Sequence, residues 1–167
     1  MNIGTILFAM EDEGGIFTVK NELSVGLKAN GHKVSEYFIS LNTKKFKQRP
    51  GFDKTMGFMQ PEMVSDFKRT VEKHDVLIFV QPCPTITKAF NSKKWMELYK
   101  TGKPNLVIAH DPLMEGHYPW FEEVKPYVNG INCVQESAYR IISKYFDPSI
   151  MISKNYFLDM NGSGLFD

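Results

Sequence analysis

Four short stretches hold the residue types that could do chemistry: Glu11-Asp12-Glu13-Gly14-Gly15, Gln81-Pro82-Cys83-Pro84, His110-Asp111-Pro112 and Gln135-Glu136-Ser137. Gly14 and Gly15 stand between an apolar run and an amphipathic stretch. A backbone without side chains at a helix N-terminus offers bare N–H groups and the positive end of the helix dipole, and together these attract phosphate. A diphosphate is the natural guest. The pattern is neither the dinucleotide fingerprint nor a Walker loop, and the three acids before it repel an anion unless they point away. A tight turn with no ligand reads the same residues equally well. His110 and Asp111 could accept a proton from an attacking hydroxyl or hold a sugar by its hydroxyls. In the structural alternative, Asp111 caps a turn before Pro112 and His110 bonds a backbone carbonyl. Cys83 has no neighbour in sequence that would lower its pKa, so no nucleophilic role is expected of it.

A second candidate surface is the stretch 42–54, where Lys44, Lys45, Lys47, Arg49 and Lys54 alternate with Phe46 and Phe52. Such a composition can follow a phosphate backbone while a ring stacks on a base. It also suits a solvated surface loop. The aromatic group Tyr118, Trp120 and Phe121 either covers the site or packs on the core. His74 and Asp75 repeat the His-Asp pair, but they precede an apolar run instead of following one and are read as structural.

These residues must be positioned by the elements between them. Residues 2–9, NIGTILFA, form a nearly continuous apolar run, which suits a strand buried on both faces of a parallel sheet. From Gly15, apolar residues recur at Ile16, Val19, Leu23 and Leu27, a helical stripe that ends at Asn30-Gly31. HKVSEYFIS follows as a strand. After a polar stretch from Asn42 to Gln60, Pro61 can open a helix with the stripe Met63, Val64, Phe67 and Val71, and DVLIFV is the next strand. A helix within 85–100, a strand PNLVIAH, a helix near 117–128, a weak strand GINCV and a helix ESAYRIISKYF complete the alternation. The expected fold class is α/β: a Rossmann-like, doubly wound parallel sheet in a three-layer α/β/α sandwich. Ligands of such sheets sit at the carboxyl ends of the strands, where all four stretches are expected to converge.

With 167 residues, 43% of them hydrophobic and 23% charged, the chain has the size of one globular domain. Residues 1–154 are assigned to it and 155–167 to a linker or tail. The net charge of +1 gives no global attraction to nucleic acid or membrane, so such a partner must be met by a local patch. Two cysteines make no disulfide framework and no paired metal spacing, so reduced thiols and a cytoplasmic location are expected, with no metal site. No run approaches the roughly 18 apolar residues of a membrane span.

The succession of motifs resembles the N-terminal domain of retaining GT-B glycosyltransferases of the glycogen-synthase-like group. GGIFTVKNELSVGLKANGHKV is similar to their first strand-loop-helix, HDVLIFVQP to their third strand, LVIAHDP to the strand ending at the acceptor site, and the stretch from Val134 to Asp159 to the approach to the interdomain linker. PNLVIAHDPLME is also similar to the His-Asp loop of phage DNA α-glucosyltransferases. The resemblance implies transfer of a hexose from a nucleotide sugar to a hydroxyl acceptor, with modified phage DNA among the acceptors. Gly14 and Gly15 would bind the donor, His110 and Asp111 would be catalytic, and Lys44, Lys45, Lys47 and Arg49 would bind the acceptor. No cofactor is implied beyond the nucleotide sugar, which is a substrate. The family also needs a second, nucleotide-binding domain that this sequence does not contain, so activity is expected only with such a domain in cis or in trans. The linker region departs from the family's tighter spacing at Asn155 and Asp159. The alternative is a non-catalytic Rossmann-like module that binds DNA or a partner protein.

Overall fold

The computed structural model describes residues 1–10, 15–42, 47–109 and 122–152. Among the described residues, seven parallel strands form one sheet in the order β3-β2-β1-β4-β5-β6-β7. They are β1 Asn2–Ala9, β2 Lys33–Ser40, β3 Lys54–Gly57, β4 Val76–Phe79, β5 Asn105–Ala109, β6 Gly130–Cys133 and β7 Met151–Ile152. Among the described residues, helices α1 Gly15–Ala29, α2 Met63–Val71, α3 Thr87–Asn91 and α4 Glu136–Ile142 alternate with them. The doubly wound α/β class expected from the alternation is the fold observed. Among the described residues, no helix is long and apolar enough to cross a membrane.

The period-two alternation of the strands distributes the core between two faces. Ile6, Phe8, Tyr37, Ile39, Leu77, Phe79 and Val107 pack with Met63, Phe67 and Val71 of α2 and Ala138 and Ile142 of α4. On the opposite face Ile3, Ile78 and Ile108 receive Val19, Leu23 and Leu27, the stripe of α1. That helix ends as the Asn30-Gly31 pair requires: Gly31 has φ +85°, its N–H donates to the Lys28 carbonyl, and the His32 N–H reaches the Leu27 carbonyl. This double bond pattern satisfies two carbonyls that the helix would otherwise leave open.

Two features differ from the sequence expectation. The stretch 42–60 is not wholly irregular, because Lys54–Gly57 pairs with Tyr37–Ser40 as edge strand β3. Four residues opening on a lysine carry too little alternation to announce a strand, and pairing with β2 decides the matter. The helix expected within 85–100 is two pieces, α3 and a 3-10 helix at Lys94–Tyr99, broken at Lys93, which adopts φ 61°. Of the helix expected near 117–128, the described part is helical at 122–124 and closes with a 3-10 turn at Lys125–Tyr127. Residues 153–167, the whole of the expected linker or tail included, lie outside the described residues.

Candidate functional site

Because every strand is parallel, every strand exits at the same edge. From β1 the chain moves outward to β2 and β3, then returns to the other side of β1 and continues outward through β4 to β7. The order therefore reverses between β1 and β4, and the carboxyl ends of these two strands flank the crevice where open α/β sheets bind ligands. Gly15 opens α1 just after β1, and β5, the neighbour of β4, ends at Ala109 on the same edge. Two strand spacings separate β1 from β5, roughly 10 Å. Gly14, His110 and Asp111 lie outside the described residues, as do Tyr118, Trp120 and Phe121.

The floor of this edge is rigid. Phe79 stacks on Tyr99 with ring centroids 4.1 Å apart and on Phe8 at 6.1 Å. In the turn after β4, the Val80 N–H donates to the Ile6 carbonyl at 2.8 Å and the Tyr99 hydroxyl donates to the Pro82 carbonyl at 2.5 Å. Cys83 is buried, and burial pushes its thiol up to about 12. A thiol in that environment stays protonated at neutral pH, which agrees with the absence of any activating neighbour in sequence.

The basic stretch divides into residues with different employment. Lys44, Lys45 and Phe46 lie outside the described residues. Lys47 is exposed. Arg49 lays its guanidinium over the Phe17 ring at 4.5 Å and faces Phe38 at 5.7 Å. Phe17 belongs to the first turns of α1, so the charge of Arg49 stands beside the helix end that opens at Gly15. Phe52 packs against Phe38 and Phe17, at the buried cluster of Leu7, Ala9, Phe38 and Val80. It is thus committed to the fold and not presented for base stacking. Lys54 reaches Asp66 at 2.7 Å and Thr70 at 3.1 Å, tying β3 to α2. That hydrogen bond holds the Asp66 carboxyl below its ordinary range. Residues 48–55 form a bonded unit: Asp53 accepts from the Glu36 N–H, the Arg49 N–H donates to Thr55, and the Thr55 N–H donates to Gln48.

Beneath this unit lies a cluster that sequence reading missed. Lys20 is buried and its Nζ is 2.9 Å from Glu36 Oε1, 4.3 Å from the centroid of Phe52. Ser24 donates to the same carboxylate oxygen at 2.6 Å. The signal was present: a lone glutamate among the apolar residues of β2, facing a helix whose apolar stripe includes a lysine. His74 sits at the amino edge, away from the crevice, as read. It accepts a hydrogen bond from the Tyr37 hydroxyl at 2.5 Å on Nε2, and its Nδ1 donates to Asn2 Oδ1 at 3.0 Å.

No protein-family model and no curated protein sequence matches the chain. Solved structures do. An α-glucosyltransferase in complex with UDP matches over 87% of this chain and 38% of its own, with TM-score 0.63 and 15% identity. The same enzyme type in complex with UDP and a 13-mer DNA containing a HMU base matches over 90% of this chain and 41% of its own, with TM-score 0.65 and 14% identity. A lipopolysaccharide outer core galactosyltransferase in its apo form matches over 92% of this chain and 45% of its own, with TM-score 0.61 and 15% identity. The chain therefore spans less than half the length of each. What these likenesses establish is the fold: the described residues form a Rossmann-like α/β domain similar to one found in these glycosyltransferases.

Proposed function

We propose that this chain is the acceptor-side domain of a glycosyltransferase that moves a hexose from a nucleotide sugar to a hydroxyl. The observation that carries the reading is the likeness of fold, over most of the chain, to glycosyltransferases solved with UDP, UDP-glucose and DNA. Fold alone does not fix function. The geometry supplies the chemical support: a Gly-opened helix and a Phe-stacked arginine stand on one side of the switch point, and β5, which leads into His110-Asp111, ends on the same edge.

In this reading the N–H groups at the start of α1, with Gly14 and Gly15 free of side chains, face the leaving diphosphate, and the helix dipole offsets its developing charge. Arg49 adds positive potential there. His110 and Asp111 engage the acceptor hydroxyl or the transferred sugar, and a second domain supplies most of the donor affinity. DNA carrying a modified base is the acceptor to test first, because the fold-related α-glucosyltransferases were solved with DNA.

The test is transfer of labelled glucose from UDP-glucose to hydroxymethylated duplex DNA by this chain joined to, or mixed with, a second nucleotide-binding domain. Transfer that disappears with His110→Ala or Asp111→Ala is the expected result. Calorimetry on residues 1–167 alone should show no micromolar affinity for UDP-glucose; such affinity would sink the half-enzyme reading and favour an independent binding module.

A further inference from the structure

Among the described residues, α1 is the only helix packed on its face of the sheet. The steps from β3 to β4 and onward to β7 all run opposite to the step from β1 to β2, so right-handed crossovers send their helices to the other face. Phe52 and the start of α1 close the α1 face over β1 and β2. Over β4 and β5 the apolar cover is incomplete. Val76, Leu106 and Val134 are only half-buried around Ile78 and Ile108, and Val19, Leu23 and Leu27 of α1 are half-buried beside them. Parallel strands are ordinarily covered on both faces.

The flank of α1 bordering this area has a composition that its own fold does not require. Lys20 and Ser24 turn to Glu36 on β2. At roughly 3.6 residues per turn, the flank towards β4 and β5 is Val19, Glu22 and Gly26. A Cβ on Gly26 would meet nothing within 4 Å, and its backbone is not left-handed. Neither packing nor conformation within the chain calls for glycine there, and glycine weakens a helix relative to alanine. A second helix crossing at that point does call for it, because a missing side chain lets two backbones approach. Glu22 is exposed and has no ion-pair partner among the described residues.

We propose that an amphipathic helix of the polypeptide carrying the nucleotide-binding domain docks on this face, beside α1 and over β4 and β5, with a small residue against Gly26 and a lysine or arginine near Glu22. The inference rests on the glycosyltransferase reading, which already requires that second unit. Docked there, the helix holds the two units together and leaves the carboxyl edge free for donor and acceptor. A second copy of this chain is a poor occupant. Among the described residues the exposed large apolar side chains are Met1, Val25, Met59 and Tyr127, which lie on four separate segments, so no helix presents an apolar stripe outward to fill such a face.

The test uses residues 1–167 and two synthetic peptides of about 18 residues, long enough to form a helix in water. Each carries leucine along one face and alanine at the crossing position; one is flanked by lysine and the other by glutamate. The lysine peptide should shift the amide resonances of Gly26, Val76 and Leu106 and bind about three- to five-fold more tightly than the glutamate peptide, as an exposed ion pair allows. Glu22→Lys should reverse that preference. Gly26→Leu should weaken the lysine peptide by about ten-fold through overpacking, yet melt at or above the wild-type temperature, since its side chain enters open space within the chain. A lower melting temperature would show that the fold itself needs Gly26 and would overturn the proposal, as would peptide binding elsewhere or none. Self-association of residues 1–167 in sedimentation that Gly26→Leu abolishes would assign the face to a second copy, with the same consequence. The labelled-glucose assay separates the two readings: transfer without peptide binding leaves the glycosyltransferase standing and this proposal fallen, whereas peptide binding without transfer shows a docking face whose partner is not a nucleotide-binding domain, and both fall.

Discussion

His74 shows how a single side chain can be committed to one protonation state. Its Nδ1 must donate, because Asn2 turns its amide nitrogen to the Lys73 carbonyl and so presents Oδ1, and its Nε2 then receives the Tyr37 hydroxyl. Burial, the largest cause, pulls its pKa below the ordinary 6.5. The folded state therefore binds this proton less readily than the unfolded chain, so the contribution is complete above pH 6.5 and is lost as pH falls below it. His74→Phe should cost about 1–3 kcal/mol at pH 7.5 by orphaning two polar groups. In urea unfolding, the gap between wild type and variant should narrow at pH 5.5; an unchanged gap refutes the neutral-histidine assignment. Lys20 and Glu36 make a second residue-scale case. Lys20→Met leaves a carboxylate buried beside Ser24 and should cost roughly 3–5 kcal/mol, whereas the double change with Glu36→Leu should recover much of that loss. Chemical denaturation of the three variants checks both signs.

At the scale of elements, the amino end of β1 is packed too tightly for a side chain at position 4. A Cβ on Gly4 would come within 3.0 Å of His74 Cδ2, 3.1 Å of Leu77 Cδ2 and 3.2 Å of Tyr37 Cε2. None of the three can retreat easily, since His74 and Tyr37 are bonded to each other and Leu77 is in the core. Gly4→Ala should destabilise by about 1–3 kcal/mol through overpacking, measurable as a lowered midpoint in denaturant with little change in slope. On the same face of the sheet, α2 packs through Met63, Phe67 and Val71. Phe67 is fully buried, and truncation to alanine should cost about 3–5 kcal/mol. The crevice edge is positioned by the same packing, so these substitutions act on the site through the sheet.

For the whole molecule, the open question of function is what the edge receives. A DNA acceptor would displace counterions, so its affinity should fall as salt rises. Arg49→Ala is a poor probe of that effect, because the guanidinium also packs on Phe17 and its loss would disturb the start of α1. Exposed Lys47, with Lys44 and Lys45, is the better set. In a salt series with duplex DNA, the triple alanine variant of the chain joined to a second nucleotide-binding domain should show a slope shallower by about three, roughly one per lysine. Equal, salt-insensitive binding by both proteins would eliminate the DNA acceptor.

The sequence by itself determined the fold class, because strands buried on both faces read as apolar runs and α1 carries its stripe and its Asn30-Gly31 stop within the residues concerned. It also marked the stretches that leave β1, β4, β5 and β6, since Gly, Pro and polar clusters interrupt apolar runs wherever a strand ends. Tertiary structure decided the rest. Whether Lys54–Gly57 is a strand depends on β2 lying beside it, and whether Phe52 stacks on a base or on Phe38 depends on where the chain returns. Five cations close together in sequence look alike, yet Lys54 is tied to Asp66 and Arg49 to Phe17 by residues distant along the chain.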